Sequence, residues 1–140
     1  MNVPVNYVAV LVASLASMVL GFVWFGPLFG KEWMKLSGQT DEKMKSAKNK
    51  GMEKLYALQL VGSLVMNYVL AHALVFASSY MHVSGTSAGL SVGFWNWLGF
   101  IAPVSLGMVL WDGKPWKLYF LTNAYQLVNL LVAGVILANM

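Results

Sequence analysis

Four stretches of this 140-residue chain carry no formal charge: Val5 to Phe25, Leu55 to Ser78, Ser87 to Trp111 and Leu118 to Ala138. Each is long enough to cross about 30 Å of hydrocarbon as a helix. Inside a bilayer only helices and closed barrels satisfy their own backbone groups. None of the four alternates with the period of a barrel strand, and Leu, Ala and Met abound. The predicted fold class is therefore all-α, a polytopic membrane protein with four transmembrane helices as two hairpins. Composition agrees. Apolar residues make up 59% and charged residues 10%, where soluble domains carry about a quarter charged. The whole chain, 1–140, reads as one membrane domain with a loop over 31–54.

The charges fix an orientation. All nine cationic residues are Lys: seven lie from Lys31 to Lys54, and Lys114 and Lys117 sit at the junction of the last two stretches. The opposite side, made of the N-terminus, the Ser79–Thr86 connection and Asn139-Met140, has no charged side chain. By the positive-inside rule the Lys-bearing loops are cytoplasmic and both termini lie outside. Trp24, Trp33, Tyr56, Trp111, Trp116 and Tyr119 then form an aromatic belt at the cytoplasmic boundary. With its lysines confined to short connections, the chain is expected to partner the bilayer and its anionic inner-leaflet lipids, not nucleic acid. The absence of Arg argues against bidentate phosphate or carboxylate recognition. With no Cys there is no thiolate chemistry. The N-terminus lacks the basic region of a secretory signal, so the first stretch is expected to persist as a span, although Ala13-Ser14-Leu15-Ala16 loosely resembles a cleavage site.

Residues 31–54 alone look soluble. Thr40 is placed to cap a short cytoplasmic helix with Asp41 and Glu42 in its first turn, and Gly51 to break it. This segment is either a solvated connector near the inner leaflet or a docking element for a protein partner.

Helices in lipid associate by close packing and interhelical hydrogen bonds. Ala9, Ala13, Ser17 and Gly21 lie at steps of four on one face of the first span, and Gly85, Gly89 and Gly93 repeat that spacing at the third. The two smooth faces predict close approach of spans one and three, within a chain or between copies, and a homo-oligomer. A short internal echo, Leu20-Gly21-Phe22 before Pro27 and Leu98-Gly99-Phe100 before Pro103, fits a parallel two-hairpin duplication. Gly26-Pro27 is expected to end the first span.

No span contains Asp, Glu, Lys or Arg, which disfavours proton relays and charged-substrate carriers. His72 is the one ionisable exception short of tyrosine. Tyr68 stands one turn away, but no second His or carboxylate does, so a packing role outweighs a metal or proton site and no metal or other cofactor is expected. The amides are more suggestive. Gln59, Ser63 and Asn67 line one face of the second span; Thr122, Gln126 and Asn129 line one face of the fourth, with Asn123 adjacent and Asn96 in the third. Buried amides must find partners, so this polar layer is either interhelical glue or a hydrated path for a small neutral solute. In the second case spans two and four would wall it, with Asn67, Gln126 and Asn129 at the centre. Trp95 and Trp97, below interfacial depth, either fill core space or wall a pocket.

Two corners stand out: Trp24-Phe25-Gly26-Pro27-Leu28-Phe29-Gly30-Lys31-Glu32-Trp33 and Leu110-Trp111-Asp112-Gly113-Lys114-Pro115-Trp116. With Val5-Asn6-Tyr7, Leu98-Gly99-Phe100 and the Asn123–Tyr125 region, they resemble a family of small bacterial inner-membrane proteins catalogued only as a domain of unknown function. The resemblance spans nearly the whole chain and implies four-helix integral membrane proteins. It carries no activity, cofactor or catalytic residue.

The leading expectation is an oligomeric channel- or carrier-like module for a small neutral solute. The alternative is a non-transporting subunit or scaffold that binds a protein through its Lys-rich loop. Catalysis is not expected, since Ser63, Ser91 and Ser105 lack an evident base and Asp112 suits a turn.

Overall fold

Asn6 opens the first helix by accepting, through its side-chain oxygen, hydrogen bonds from the N–H groups of Val8 and Ala9 at 3.0 and 3.1 Å. That is the usual work of an N-cap asparagine, which satisfies donors the helix itself leaves free. The computed structural model describes residues 2–140. Helix α1 runs Tyr7–Val23 and continues through a π-helical turn, Trp24–Leu28. Two short helices follow, α2 (Gly30–Ser37) and α3 (Asp41–Asn49), then the long α4 (Met52–Met81). After α5 (Gly85–Asn96) comes a second π turn, Trp97–Ile101, and the single-turn pieces α6 (Ala102–Ser105) and α7 (Gly107–Leu110). Helix α8, Trp116–Asn139, completes the chain, and no strand occurs among the described residues. Four continuous runs, Tyr7–Leu28, Met52–Met81, Gly85–Leu110 and Trp116–Asn139, are long and apolar enough to cross a membrane. Each has somewhat different ends from the charge-free stretch that announced it.

Local chemistry explains the joints. Thr40 Oγ1 accepts from the N–H of Lys43 at 3.2 Å and starts α3, with Asp41 and Glu42 in its first turn. Gly51, at φ +97°, turns the chain sharply into α4. Gly113 does the same at φ +67° in the connection before α8. An L side chain adopts such angles only at a cost, which glycine avoids.

Gly26-Pro27 stands at the end of the first long helix, as expected, within its last turn. Pro27 lies inside the π turn, and the chain closes it with a hydrogen bond from Phe29 N–H to Trp24 O at 2.9 Å. A proline ring would clash with the carbonyl four residues back in an α-helix. The wider turn relieves that clash, and the run ends one residue later, at Leu28. Pro103 stands just after the second π turn, in the first turn of α6, where a missing N–H costs little. Each inserted π turn also rotates the faces beyond it. The face bearing Gly85, Gly89 and Gly93 would continue in an unbroken α-helix to Phe100 and Val104, yet these are 72% and 74% exposed. Ala102 is buried and Ser105 half-buried in their place.

The helices pack around a ring. Helix α1 lies against α4 and α8, and α5 lies against α4 and, most extensively, α8. The expected approach of spans one and three within a chain is thus corrected: α1 and α5 stand across the bundle from each other. The glycine face of α5 meets α8 instead. A β-carbon on Gly89 would collide with the Gly134 carbonyl, and one on Gly134 with the Gly89 carbonyl. A β-carbon on Gly93 would stand 2.6 Å from Leu130 O. The two backbones touch directly, as small-residue seams permit. Sequence reasoning found the face on α5 and missed its partner, because Gly134 is the only glycine of α8 and makes no repeat. Ala9, Ala13, Ser14 and Ser17 of α1 are buried, and Ala13 joins Leu70, Leu74, Ala88, Val92, Leu130 and Ala133 in the core.

Candidate functional site

Gly21 leaves a gap on α1 that the side chain of Tyr125 from α8 enters. The Tyr125 oxygen stands 2.9 Å from where a Gly21 β-carbon would be, and the hydroxyl donates to Ser17 O at 3.3 Å. The ring meets Phe25 edge to face, with centroids 4.9 Å apart, and leans towards Trp24 at 6.1 Å. Beside this contact lies a cavity of about 570 Å³ between α1, α4 and α8, within the range of small-molecule sites. Its polar lining is Ser17, Gln59, Thr122, Tyr125 and Gln126; Met18, Phe22, Phe25 and Tyr56 supply most of the apolar wall. A second cavity of about 510 Å³ shares Gly21, Phe22, Phe25, Tyr56 and Gln59 with the first and extends to Gly26, Trp33 and Met44. Together they make one groove from the middle of α1 down to α2 and α3.

The polar groups of this site differ in what they have left to offer. Thr122 Oγ1 donates within its own helix to Leu118 O at 2.8 Å, and the Tyr125 hydroxyl is spent on Ser17 O. The amides of Gln59 and Gln126 form no hydrogen bond to another described residue and face the cavity as available donors and acceptors.

The remaining amides do not join them. Asn67 is fully buried and donates across to α1, to Ser14 Oγ at 3.2 Å and Ser17 Oγ at 3.4 Å. Ser14 in turn donates to Val10 O at 2.7 Å. Asn129 approaches Met66 Sδ at 3.9 Å. The side-chain oxygens of Asn67 and Asn129 are buried without a partner. Asn123 accepts from Ser105 Oγ at 2.9 Å and donates to Tyr119 O at 2.9 Å. Its backbone oxygen takes the Trp97 indole N–H at 2.9 Å, while Tyr119 donates to Ala102 O at 2.8 Å. These bonds fasten α8 to the second π turn and α6. Asn96 donates to Val92 O on its own helix at 2.8 Å and borders a separate, nearly apolar groove with Val65, Val69 and Phe100. The expected layer therefore divides into Asn67 and Asn123 as interhelical ties, Asn96 as a local bond, and Gln59, Thr122 and Gln126 as cavity lining. The walls are α1, α4 and α8, not α4 and α8 alone, and Asn67 and Asn129 are not at the cavity's centre.

His72 Nδ1 lies 2.8 Å from the Tyr68 carbonyl and its ring packs edge-on against the Tyr68 ring at 4.4 Å. No group of three or more metal-binding side chains occurs among the described residues. Trp97 is half-buried and bonded, whereas Trp95 is exposed. At the corners, Trp24 packs on Phe29 at 4.9 Å and Trp33 on Phe25 at 5.7 Å. Trp111 is exposed, and Trp116 meets Tyr119 edge to face and Phe120 at a tilt. Asp112, Gly113 and Pro115 make the turn before α8, where Lys114 N–H donates to Met108 O at 2.9 Å.

Sequence reasoning missed Phe22, Phe25, Tyr56 and Tyr125 as cavity walls. The one available signal was Gly21 itself, a small residue whose counterpart on a neighbouring helix must be large.

Fold and site together define a class: a small all-helical protein, four of whose helices can cross a membrane, with a polar-lined groove between three of them. The chain belongs to the family described as "Protein of unknown function (DUF1761)", whose model matches residues 8–138. No curated protein and no solved structure matches it.

Proposed function

We propose that this chain is a non-enzymatic, channel- or carrier-like module of the bacterial inner membrane that accommodates a small neutral solute in the groove between α1, α4 and α8. The observation that carries the reading is the pair of unengaged amides, exposed Gln59 of α4 and half-buried Gln126 of α8, that line the same groove of about 570 Å³. Its lining residues include no charged side chain, which matches an uncharged solute and disfavours an ion. In this arrangement the spans form two hairpins, the lysines face the cytoplasm and both termini lie outside. The Ser79–Thr86 connection and the Asn6–Met140 hydrogen bond of 3.0 Å share the charge-free end, consistent with that sidedness. Four helices enclose little volume, so a continuous path requires a homo-oligomer. The largely exposed apolar faces of the four long helices leave surface for both lipid and further copies.

Reconstitution into liposomes tests the proposal. Shrinkage and re-swelling after a glycerol or urea gradient, followed by light scattering, should be faster with the protein than in empty vesicles. Gln126→Leu and Gln59→Leu should each slow it. Permeation indifferent to both substitutions, or no permeation at all, sinks the reading.

A further inference from the structure

A groove on the other side of α3 has no part in the solute reading. Lys43 and Ser46 lie along one face of α3, Lys50 caps its end, and Lys54 follows on α4 across the bend at Gly51. With Ala47, Gly51 and Leu55 they line a depression of about 510 Å³. No carboxylate lines it: Asp41 and Glu42 stand in the first turn of α3, and Glu53, in the first turn of α4 beside Lys54, is not among the lining residues. The Lys43 ammonium makes one contact, to Gly38 O at 3.4 Å, and keeps further N–H groups free. Three lysine side chains along one groove, with Glu53 beside Lys54 as the one neighbouring carboxylate, leave a net positive surface that attracts a phosphate.

The surroundings say which phosphate. The depression opens onto α4 where its charge-free run begins, and from Leu55 an exposed apolar stripe climbs that helix through Leu58, Val61, Val65 and Val69. A phosphate held by the lysines would place any attached acyl chain along this stripe. Lysines near a membrane surface favour anionic headgroups in just this way. We propose that the groove between α3 and α4 is a binding site for the headgroup phosphate of an anionic phospholipid, with an acyl chain lying along Leu55, Leu58 and Val61.

The test uses the purified full chain and native mass spectrometry, with phosphatidylglycerol, phosphatidylcholine and inorganic phosphate as probes. Phosphatidylglycerol should be retained well above phosphatidylcholine, and millimolar inorganic phosphate should displace little of it. The triple variant Lys43→Gln, Lys50→Gln, Lys54→Gln should weaken retention at least about 10-fold. The control Lys31→Gln, Lys35→Gln, Lys45→Gln, with the same change of charge, should stay within about 2-fold of the parent. Equal loss in both triples would reduce the effect to net charge and overturn the site. Equal retention of phosphatidylcholine, or displacement by inorganic phosphate, would overturn the lipid assignment without recourse to any variant.

Discussion

The phenol of Tyr125 fills the space that any side chain on Gly21 would need, its oxygen 2.9 Å from the missing β-carbon. The obstacle is the tip of a flexible side chain, so Gly21→Ala should displace Tyr125 at a cost of about 1 kcal/mol, the low end for overpacking. The larger Gly21→Leu should fill the head of the groove. Solute permeation in liposomes should then fall in the order parent, Ala, Leu, while helical content by circular dichroism stays level. Unchanged permeation in the Leu variant would separate the groove from any transport.

The seam between α5 and α8 is less forgiving. At Gly89 the neighbouring atom is the Gly134 carbonyl, part of a backbone that cannot swing aside. Gly89→Ala and Gly134→Ala should each destabilise the fold by about 1–3 kcal/mol, measured by thermal unfolding in mild detergent. Gly62 of α4, with nothing within 4 Å of its missing β-carbon, supplies the contrast. Gly62→Ala should be neutral or stabilise by up to about 1 kcal/mol through helix propensity. Equal effects at Gly62 and Gly89 would contradict the backbone contact.

Asn67 ties α4 to α1 through two serines. Interhelical bonds of this kind contribute about 0.6 kcal/mol each. Asn67→Ala and Ser17→Ala should therefore show a coupling of about that size in a double-mutant cycle. A coupling near zero would mean that the bond to Ser17 Oγ does not form.

The π turn at Trp97–Ile101 adds a residue to a helical run. Deleting Gly99 should remove that extra residue, and an unbroken α-helix would then carry the glycine face of α5 on to Ile101 and Ser105, which already pack inward. The Ser105–Asn123 and Tyr119–Ala102 bonds should survive, at a cost below about 1 kcal/mol by thermal unfolding. Inserting an Ala after Gly99 should instead turn the following segment by roughly a further 100° and cost at least about 2 kcal/mol. A deletion as costly as the insertion would contradict the one-residue reading of the turn.

What could be read from the sequence follows the physics of each signal. Long charge-free runs, the Thr40 cap and the glycine breaks at Gly51 and Gly113 depend on neighbours in the chain, and the helices begin and turn there. The small face of Gly85, Gly89 and Gly93 was also visible, since a period of four is a local property. Which helix it meets was not, because Gly134 stands alone in α8. The amides show the same limit. Spacing placed Asn67 and Gln126 on interior faces, but only the packing decides that Asn67 finds two serines while Gln126 finds an open cavity. Pro27 marked where the first run ends, at Leu28, but not the π form of its last turn, a way round the proline clash that composition does not announce.

Direct contact of two backbones at Gly89 and Gly134 makes α5 and α8 behave mechanically as a single plank. Helix α1 is joined to its neighbours through side chains, Tyr125 and Asn67 among them, which rotate far more readily than main chain slides. Admission of a solute to the groove, on the function proposed above, should accordingly part the bundle along the margins of α1, with the glycine-seamed pair serving as the fixed jamb.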